Sequence, residues 1–186
     1  MKYTKEIYDR LAQGGFISGD SRDAKTKQIF INLQDNFQEY YDYFSQIGLD
    51  IECGDGFYYF SRKLSKKVIP DKLKKFGHWI DIIDLLVSLD PTIGPGSEIS
   101  ITKLSVGFET DIELRDKARK LYDKDLTFTE IAMRLLEELR RQGFIEMTDE
   151  MMKSYIMLSS FKYLFEMVEL IVIETSEDTA DHETTE

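Results

Sequence analysis

The chain has few of the residues that cross-link a protein or carry out its chemistry. Cys53 is the only cysteine, so no disulfide can form within the chain, and a cysteine-based zinc site is unsupported. Only two histidines are present, and we expect His78, alone in a helix, to be a hydrogen-bonded packing residue. No metal-ligand spacing and no phosphate-binding or dinucleotide-binding glycine motif occurs. We therefore predict no metal, no cofactor and no enzymatic activity.

Long apolar runs are also missing. Residues 1–12 are charged, unlike a secretion signal, and no uncharged apolar run approaches the ~20 residues that span a bilayer. The lack of disulfides fits a reducing compartment. These features predict a cytoplasmic protein without a membrane partner.

Basic residues are outnumbered and unevenly spread. The chain of 186 residues has 24 Lys and Arg against 35 Asp and Glu, a formal net charge of -11, which argues against a protein that coats nucleic acid with its whole surface. Seven of those basic residues lie within fourteen positions: Arg62, Lys63, Lys66, Lys67, Lys72, Lys74 and Lys75. Two interpretations stay open, a solvated linker or a contact with a phosphate backbone.

The aromatic residues are concentrated in one stretch. Apolar residues at three- and four-residue steps predict one long helix from Gln28 to Ile47, ended by Gly48. A hairpin over 49–61 follows, with its turn at 54–56. Its return strand, 57–60, is aromatic on both faces and should be covered on both, either by this chain or by a partner.

The second half repeats this order of elements. Thr127 and Glu130 form a predicted capping box, and the helix that they begin ends at Gly143. A second hairpin follows over 144–148 and 155–158, then a predicted amphipathic helix over 160–173. Short extended pieces are predicted at 16–17 and 98–101.

A helix that runs through a glycine into a two-stranded hairpin is typical of a winged helix. We predict an α+β, mainly helical chain with tandem winged-helix domains, two-stranded wings and a C-terminal helix. The predicted boundaries are 1–66 for the N-terminal domain, 67–173 for the C-terminal domain and 174–186 for a disordered acidic tail.

The stretch from 36 to 90 also resembles a known family. The residues Phe37-Gln38-Glu39-Tyr40, Leu49-Asp50-Ile51 and Gly56-Phe57-Tyr58-Tyr59, with the basic link to Val68-Ile69-Pro70, are similar to MukE and its relative MksE. These are the winged-helix (kite) accessory subunits of bacterial SMC complexes, the condensins. The resemblance continues more loosely through the second hairpin and the acidic tail.

The resemblance implies a non-enzymatic subunit that forms a homodimer and binds the kleisin subunit. It would reach the SMC ATPase through the kleisin, lie at the nucleoid and meet DNA in the assembled complex during chromosome segregation and condensation. On this interpretation the basic cluster at 62–75 contacts DNA. The protein interface would use the aromatic side chains of Tyr40, Tyr43, Phe57, Tyr58, Tyr59 and Phe60.

Two other functions remain open. The equivalent subunit of an SMC-type anti-plasmid defence system would share this architecture, and neighbouring genes would distinguish it. A stand-alone winged-helix transcription regulator would bind specific DNA by itself. The net charge of -11 and the acidic residues Glu39 and Asp42 on the first predicted recognition helix weigh against that regulator.

Overall fold

The computed structural model describes residues 1–61, 69–122 and 125–168. Within them the chain is mixed α and β, mainly helical, with two small antiparallel sheets. This confirms the predicted α+β class. We call residues 1–61 the N-terminal unit, and residues 69–122 and 125–168 the C-terminal unit. The predicted acidic tail, 174–186, lies outside the described residues.

The N-terminal unit places three helices against one three-stranded sheet. Asp23 caps the second helix by accepting a hydrogen bond from the Thr26 N–H at 2.7 Å, and Gly56 turns the hairpin with a φ of +87°. The strands are ordered β1-β3-β2. The elements are α1 (Thr4–Leu11), β1 (Ile17–Ser18), α2 (Ala24–Asp35), α3 (Phe37–Ser45), β2 (Asp50–Gly54) and β3 (Phe57–Ser61).

The C-terminal unit has the same strand arrangement, ordered β4-β6-β5. The predicted capping box at Thr127 and the left-handed cap at Gly143, with a φ of +87°, are both confirmed. A 3-10 turn (Ser159–Phe161) leads into helical residues 162–168. The elements before it are α4 (Ile69–Leu89), β4 (Glu98–Ser100), α5 (Ile101–Thr110), α6 (Ile112–Leu121), α7 (Phe128–Gln142), β5 (Ile145–Asp149) and β6 (Ser154–Met157).

The single long helix predicted over 28–47 is wrong. The chain forms two helices, α2 and α3, that meet at Asn36. The Asn36 side chain donates to the Asn32 carbonyl oxygen at 2.8 Å, and such local bonding by asparagine competes with helix continuation. The apolar spacing survives the break, but Ile47, the last residue of the predicted helix, is 58% exposed.

The hairpins are not isolated two-stranded ribbons. In each unit a short early strand pairs with the return strand: Ile17 lies opposite Tyr58, and Ile99 lies opposite Tyr155. The short extended pieces predicted near 16–17 and 98–101 therefore complete three-stranded sheets. The third strand uses backbone groups that a free hairpin edge would leave to solvent.

Two apolar clusters form the core, and the boundary between them does not coincide with the boundary between the units. One cluster belongs to α1, α2, α3 and their sheet. The larger cluster surrounds α4, α5 and α7, and it also includes Phe16 and Phe57 from the N-terminal unit. Within α4, Ile82, Leu85 and Leu86 are fully buried, so this helix lies at the centre of the larger cluster.

Hydrogen bonds also join the two units. The Phe16 N–H donates to the Gln142 carbonyl oxygen at 3.2 Å, and the Ser159 N–H donates to Asp20 at 2.8 Å. Glu146 on β5 accepts from the Ser21 hydroxyl and from the Arg22 N–H. Lys162 and Asp55 form an ion pair. The two sheets are therefore held side by side by both apolar and polar contacts.

Candidate functional site

The predicted DNA-binding residues fall mostly outside the described part of the chain. Arg62, Lys63, Lys66 and Lys67 are not among the described residues. Lys72, Lys74 and Lys75 lie in the sequence of α4, near its N-terminal end. Contact between this cluster and DNA stays a prediction.

Three of the six predicted interface residues are inside the chain's own core. Tyr40 and Phe57 are completely buried, and Tyr58 is 4% exposed. The Tyr40 hydroxyl donates to the Asn32 side-chain oxygen at 2.7 Å and accepts from the Tyr3 N–H at 3.2 Å. The chain itself therefore covers these rings, and they cannot offer a surface to a partner without unfolding.

Tyr58 illustrates how closely this cover is packed. Its ring centroid lies 5.2 Å from that of Phe30 and 5.8 Å from that of Phe37. Burial, with a smaller contribution from the neighbouring Cys53 thiol, raises the pKa of Tyr58 to about 12. Tyr58 is thus a neutral packing residue at physiological pH.

An exposed apolar surface remains at the edge of the N-terminal core. Tyr43 is 43% exposed and Ile47 is 58% exposed, while Phe60 is half-buried. The rings of Tyr43 and Phe60 both pack on the buried Phe44, with centroids at 5.1 and 5.0 Å. We call Tyr43, Ile47 and Phe60 the aromatic surface. A patch that continues a core outward is typical of a protein-binding site.

The sixth predicted residue, Tyr59, lies between the two units. Its ring centroid is 4.9 Å from that of Tyr163 and 5.8 Å from that of Phe16. Burial raises the pKa of both tyrosines, and carboxylates including Glu166 contribute. These rings line a cavity of about 280 Å³ together with Phe60, Trp79 and Phe144. The cavity could take one or two apolar side chains of a partner.

A polar cleft of about 570 Å³ is also lined by residues of both units. Two of its cations are matched by nearby groups: Arg10 donates to the Thr26 hydroxyl at 2.8 Å, and Lys25 lies 3.5 Å from Glu6. A hydrogen bond from the Thr26 hydroxyl lowers the pKa of Asp23, which also lines the cleft. No side chain in this arrangement is isolated in an apolar setting of the kind that tunes a catalytic group.

His78 lies in a small hydrogen-bonded cluster. Its Nε2 is 2.9 Å from one oxygen of Glu138, and the Tyr122 hydroxyl donates to the other oxygen at 3.0 Å. Burial and the Glu138 charge raise the pKa of Tyr122. The hydrogen-bonded packing role predicted for His78 agrees with this geometry. Across the described residues, no group of three or more His, Cys, Asp or Glu side chains could hold a metal ion.

The sequence did not indicate an open groove on the C-terminal unit. It has a volume of about 650 Å³ and lies between α7 and the β5–β6 hairpin. Met133 and Met147, which line it, are 51% and 40% exposed. The available signal was that Met133 falls off the buried stripe of α7. The sequence does not show that the β5–β6 hairpin lies beside that face of α7.

The described helices include none that is long and apolar enough to cross a membrane.

Comparison with known proteins decides the family. A family model described as condensin complex protein MksE matches residues 2–169. The chain belongs to the MksE family. No curated protein matches it.

The MksE match confirms the resemblance found in the central stretch and extends it. It covers both units, including the N-terminal helices α1 and α2, where the resemblance had not reached. It ends at residue 169, before the acidic tail. As an MksE-family protein, the chain is a component of a condensin-like complex.

Proposed function

We propose that this protein is a non-enzymatic accessory subunit of a bacterial condensin-like SMC complex. It forms a homodimer, binds the kleisin subunit and reaches the SMC ATPase through it, during chromosome segregation or DNA entrapment. The observation that carries the proposal is the MksE family match over residues 2–169, nearly the whole described chain.

We further propose that the two units are tandem winged-helix domains, 1–66 and 67–173. What supports this is the order of elements, helix, strand, helices and then a hairpin, in both units. In each sheet the first strand pairs with the last, giving the orders β1-β3-β2 and β4-β6-β5. The C-terminal unit has one more helix between its first strand and its hairpin.

The aromatic surface supports a protein-binding role for the N-terminal domain. Its helix α3 has Glu39 and Asp42 and no Lys or Arg, so insertion into a DNA groove would bring carboxylates towards phosphates. Tyr43, Ile47 and Phe60 instead supply the apolar anchors that dominate protein interfaces. In this proposal DNA is met by the basic residues of 62–75.

Reconstitution tests the proposal. The full-length chain is mixed with the kleisin and SMC proteins encoded beside its gene, and masses are measured by light scattering after gel filtration. We expect a dimer alone and a stable complex with the kleisin. A monomer that binds neither protein contradicts the proposal. Specific DNA binding by the isolated chain would favour a transcription regulator, and an added nuclease-like neighbour would favour plasmid defence.

Paired substitutions locate the interface in the same assay. The double variant Tyr43→Ala, Ile47→Ala should weaken self-association or kleisin binding at least about tenfold, because two anchors worth ~1 kcal/mol or more each are removed. Ile112→Ala is the matched control, since Ile112 is 72% exposed on α6 of the other unit. Equal affinities for all three proteins would remove the aromatic surface from the proposal.

A further inference from the structure

The groove between α7 and the β5–β6 hairpin has an apolar floor. Met133 extends from α7, and Met147 extends from β5 on the same face as the buried Ile145. Tyr155, opposite Met147 in the sheet, and Ile101 complete the floor. Methionine side chains are adaptable and make good contacts with varied apolar partners.

The carboxylates around this floor are bonded to neighbouring side chains, whereas the basic side chains are not. Glu137 is engaged by Arg140 at 2.8 Å, and Glu138 is engaged by His78 and Tyr122. By contrast, three basic side chains that line the groove form no hydrogen bond or ion pair with any described residue: those of Arg134, Arg141 and Lys153. In a chain of net charge -11, this groove therefore favours a ligand that is apolar and acidic.

The chain carries a segment of that chemistry just beyond the described residues. Residues 170–173 are Leu-Ile-Val-Ile. Residues 174–186 contain six carboxylates and no Lys or Arg. An apolar block followed by an acidic block matches a floor of Met, Tyr and Ile with a rim of Arg and Lys.

The described chain ends close enough for this segment to reach the groove. Met167 lines the inter-unit cavity together with Trp79. The next residue along α4, His78, bonds Glu138, and Glu138 lines the groove. The eighteen residues 169–186 span up to ~60 Å when extended, about twice the ~30 Å length of the 21-residue helix α4.

We propose that residues 169–186 occupy the groove of their own chain. The apolar residues 170–173 cover Met133 and Met147, and the carboxylates that follow pair with Arg134, Arg141 and Lys153. The segment would then act as an internal competitor, which a partner must displace before it can use this face. This inference goes beyond the proposed function, because it concerns the isolated chain.

Oxidation of the groove methionines tests it. The full-length protein is treated with dilute hydrogen peroxide, and sulfoxide formation at each methionine is followed by peptide mass spectrometry. A segment bound three-quarters of the time slows oxidation of Met133 and Met147 about fourfold, since only the open quarter reacts. Met151 and Met152 are 93% and 67% exposed outside the groove and serve as the internal reference.

Neutralising the segment should remove the protection. The full-length variant Glu174→Gln, Glu177→Gln, Asp178→Asn, Asp181→Asn should oxidise Met133 and Met147 several-fold faster than the unmodified chain. Reversing the rim with Arg134→Glu, Arg141→Glu and Lys153→Glu should have the same effect. Its control reverses three exposed cations of the N-terminal unit, with Lys5→Glu, Arg22→Glu and Lys27→Glu.

Other outcomes of these experiments would overturn the proposal. Equal oxidation rates in the unmodified and neutralised chains overturn the proposal. Protection that rises with protein concentration also overturns it, because a second copy would then supply the segment. Protection that appears only when DNA is added assigns the groove to nucleic acid instead. The assay contains no kleisin or SMC protein, so its failure would leave the proposed function standing.

Discussion

Phe16 should be the residue whose loss most clearly separates the two units. It follows the Gly14-Gly15 turn of the N-terminal unit, yet its ring packs mainly in the larger cluster of the C-terminal unit. Its centroid lies 4.9 Å from that of Phe144, 5.0 Å from that of Tyr163 and 5.6 Å from that of Phe57. Phe16→Ala removes contacts with both units in a single change.

The stability lost in Phe16→Ala should lie in the upper part of the range usual for core substitutions. Replacing a buried phenylalanine by alanine costs ~3–5 kcal/mol, and aromatic pairs contribute ~0.5–1.5 kcal/mol each beyond the buried area. Phe16 is 6% exposed, and its ring contacts four other aromatic rings. Because Phe16→Ala removes the ring and all four contacts, we expect a loss of about 4 kcal/mol.

Urea unfolding with two probes measures this loss. The single tryptophan, Trp79, reports on the C-terminal unit, because its ring lies 5.3 Å from that of Phe144. Far-ultraviolet circular dichroism reports on helix throughout the chain. In the unmodified protein the two transitions should coincide, whereas in Phe16→Ala they should separate, with the first at lower urea.

A control within one unit sharpens the comparison. Phe37→Ala removes a half-buried ring that packs on Tyr58 inside the N-terminal core. It should lower stability while the two probes remain coincident. The reasoning is refuted if Phe16→Ala costs less than ~1 kcal/mol and its two transitions still coincide.

Three further predictions concern a tyrosine, a helix cap and the basic cluster. Burial raises the pKa of Tyr58 to about 12, so its contribution to stability is present below pH ~10 and is lost as the pH rises towards 12. Between pH 9 and pH 11.5 the urea midpoint should therefore fall less in Tyr58→Phe than in the unmodified protein. Thr127→Ala removes the capping box of α7 and should cost ~1 kcal/mol in urea unfolding, whereas no loss would contradict the capping role. Replacing Lys63, Lys66 and Lys67 by glutamate should weaken DNA association of the assembled complex in low-salt gel shifts, and unchanged binding would exclude that role.

Local signals in the sequence predicted the ends of elements well. Thr127 and Glu130 at a three-residue spacing specify a helix start, because their side chains satisfy the first backbone N–H groups. Gly143 specifies the end of the same helix, since its left-handed backbone is costly for other residues. Such signals act over a few residues, so they can be recognised without knowing the fold.

Side-chain burial was predicted less well, because it depends on distant parts of the chain. Tyr40 and Phe57 are aromatic residues that could equally have served an interface. Their cover comes from residues far away in the sequence, such as Tyr3 for Tyr40 and Phe16 for Phe57. The break at Asn36 was missed for a related reason, since the apolar spacing continues across it.

The candidate surfaces also differ in whether the sequence alone could predict them. The basic cluster is a matter of composition and was visible in the sequence. The groove on the C-terminal unit needs Met133 and Met147, fourteen positions apart, to lie on facing elements. That arrangement is set by how the hairpin packs against α7.

The central claim is that this protein works as a subunit of an SMC complex. The most direct measurement is affinity purification of the tagged full-length protein, expressed at its native level in its own cells, with quantitative mass spectrometry of the eluate. The account predicts an SMC ATPase and a kleisin in fixed ratios to the tagged chain. Recovery of the folded chain with neither protein, at salt concentrations that preserve such complexes, would contradict it.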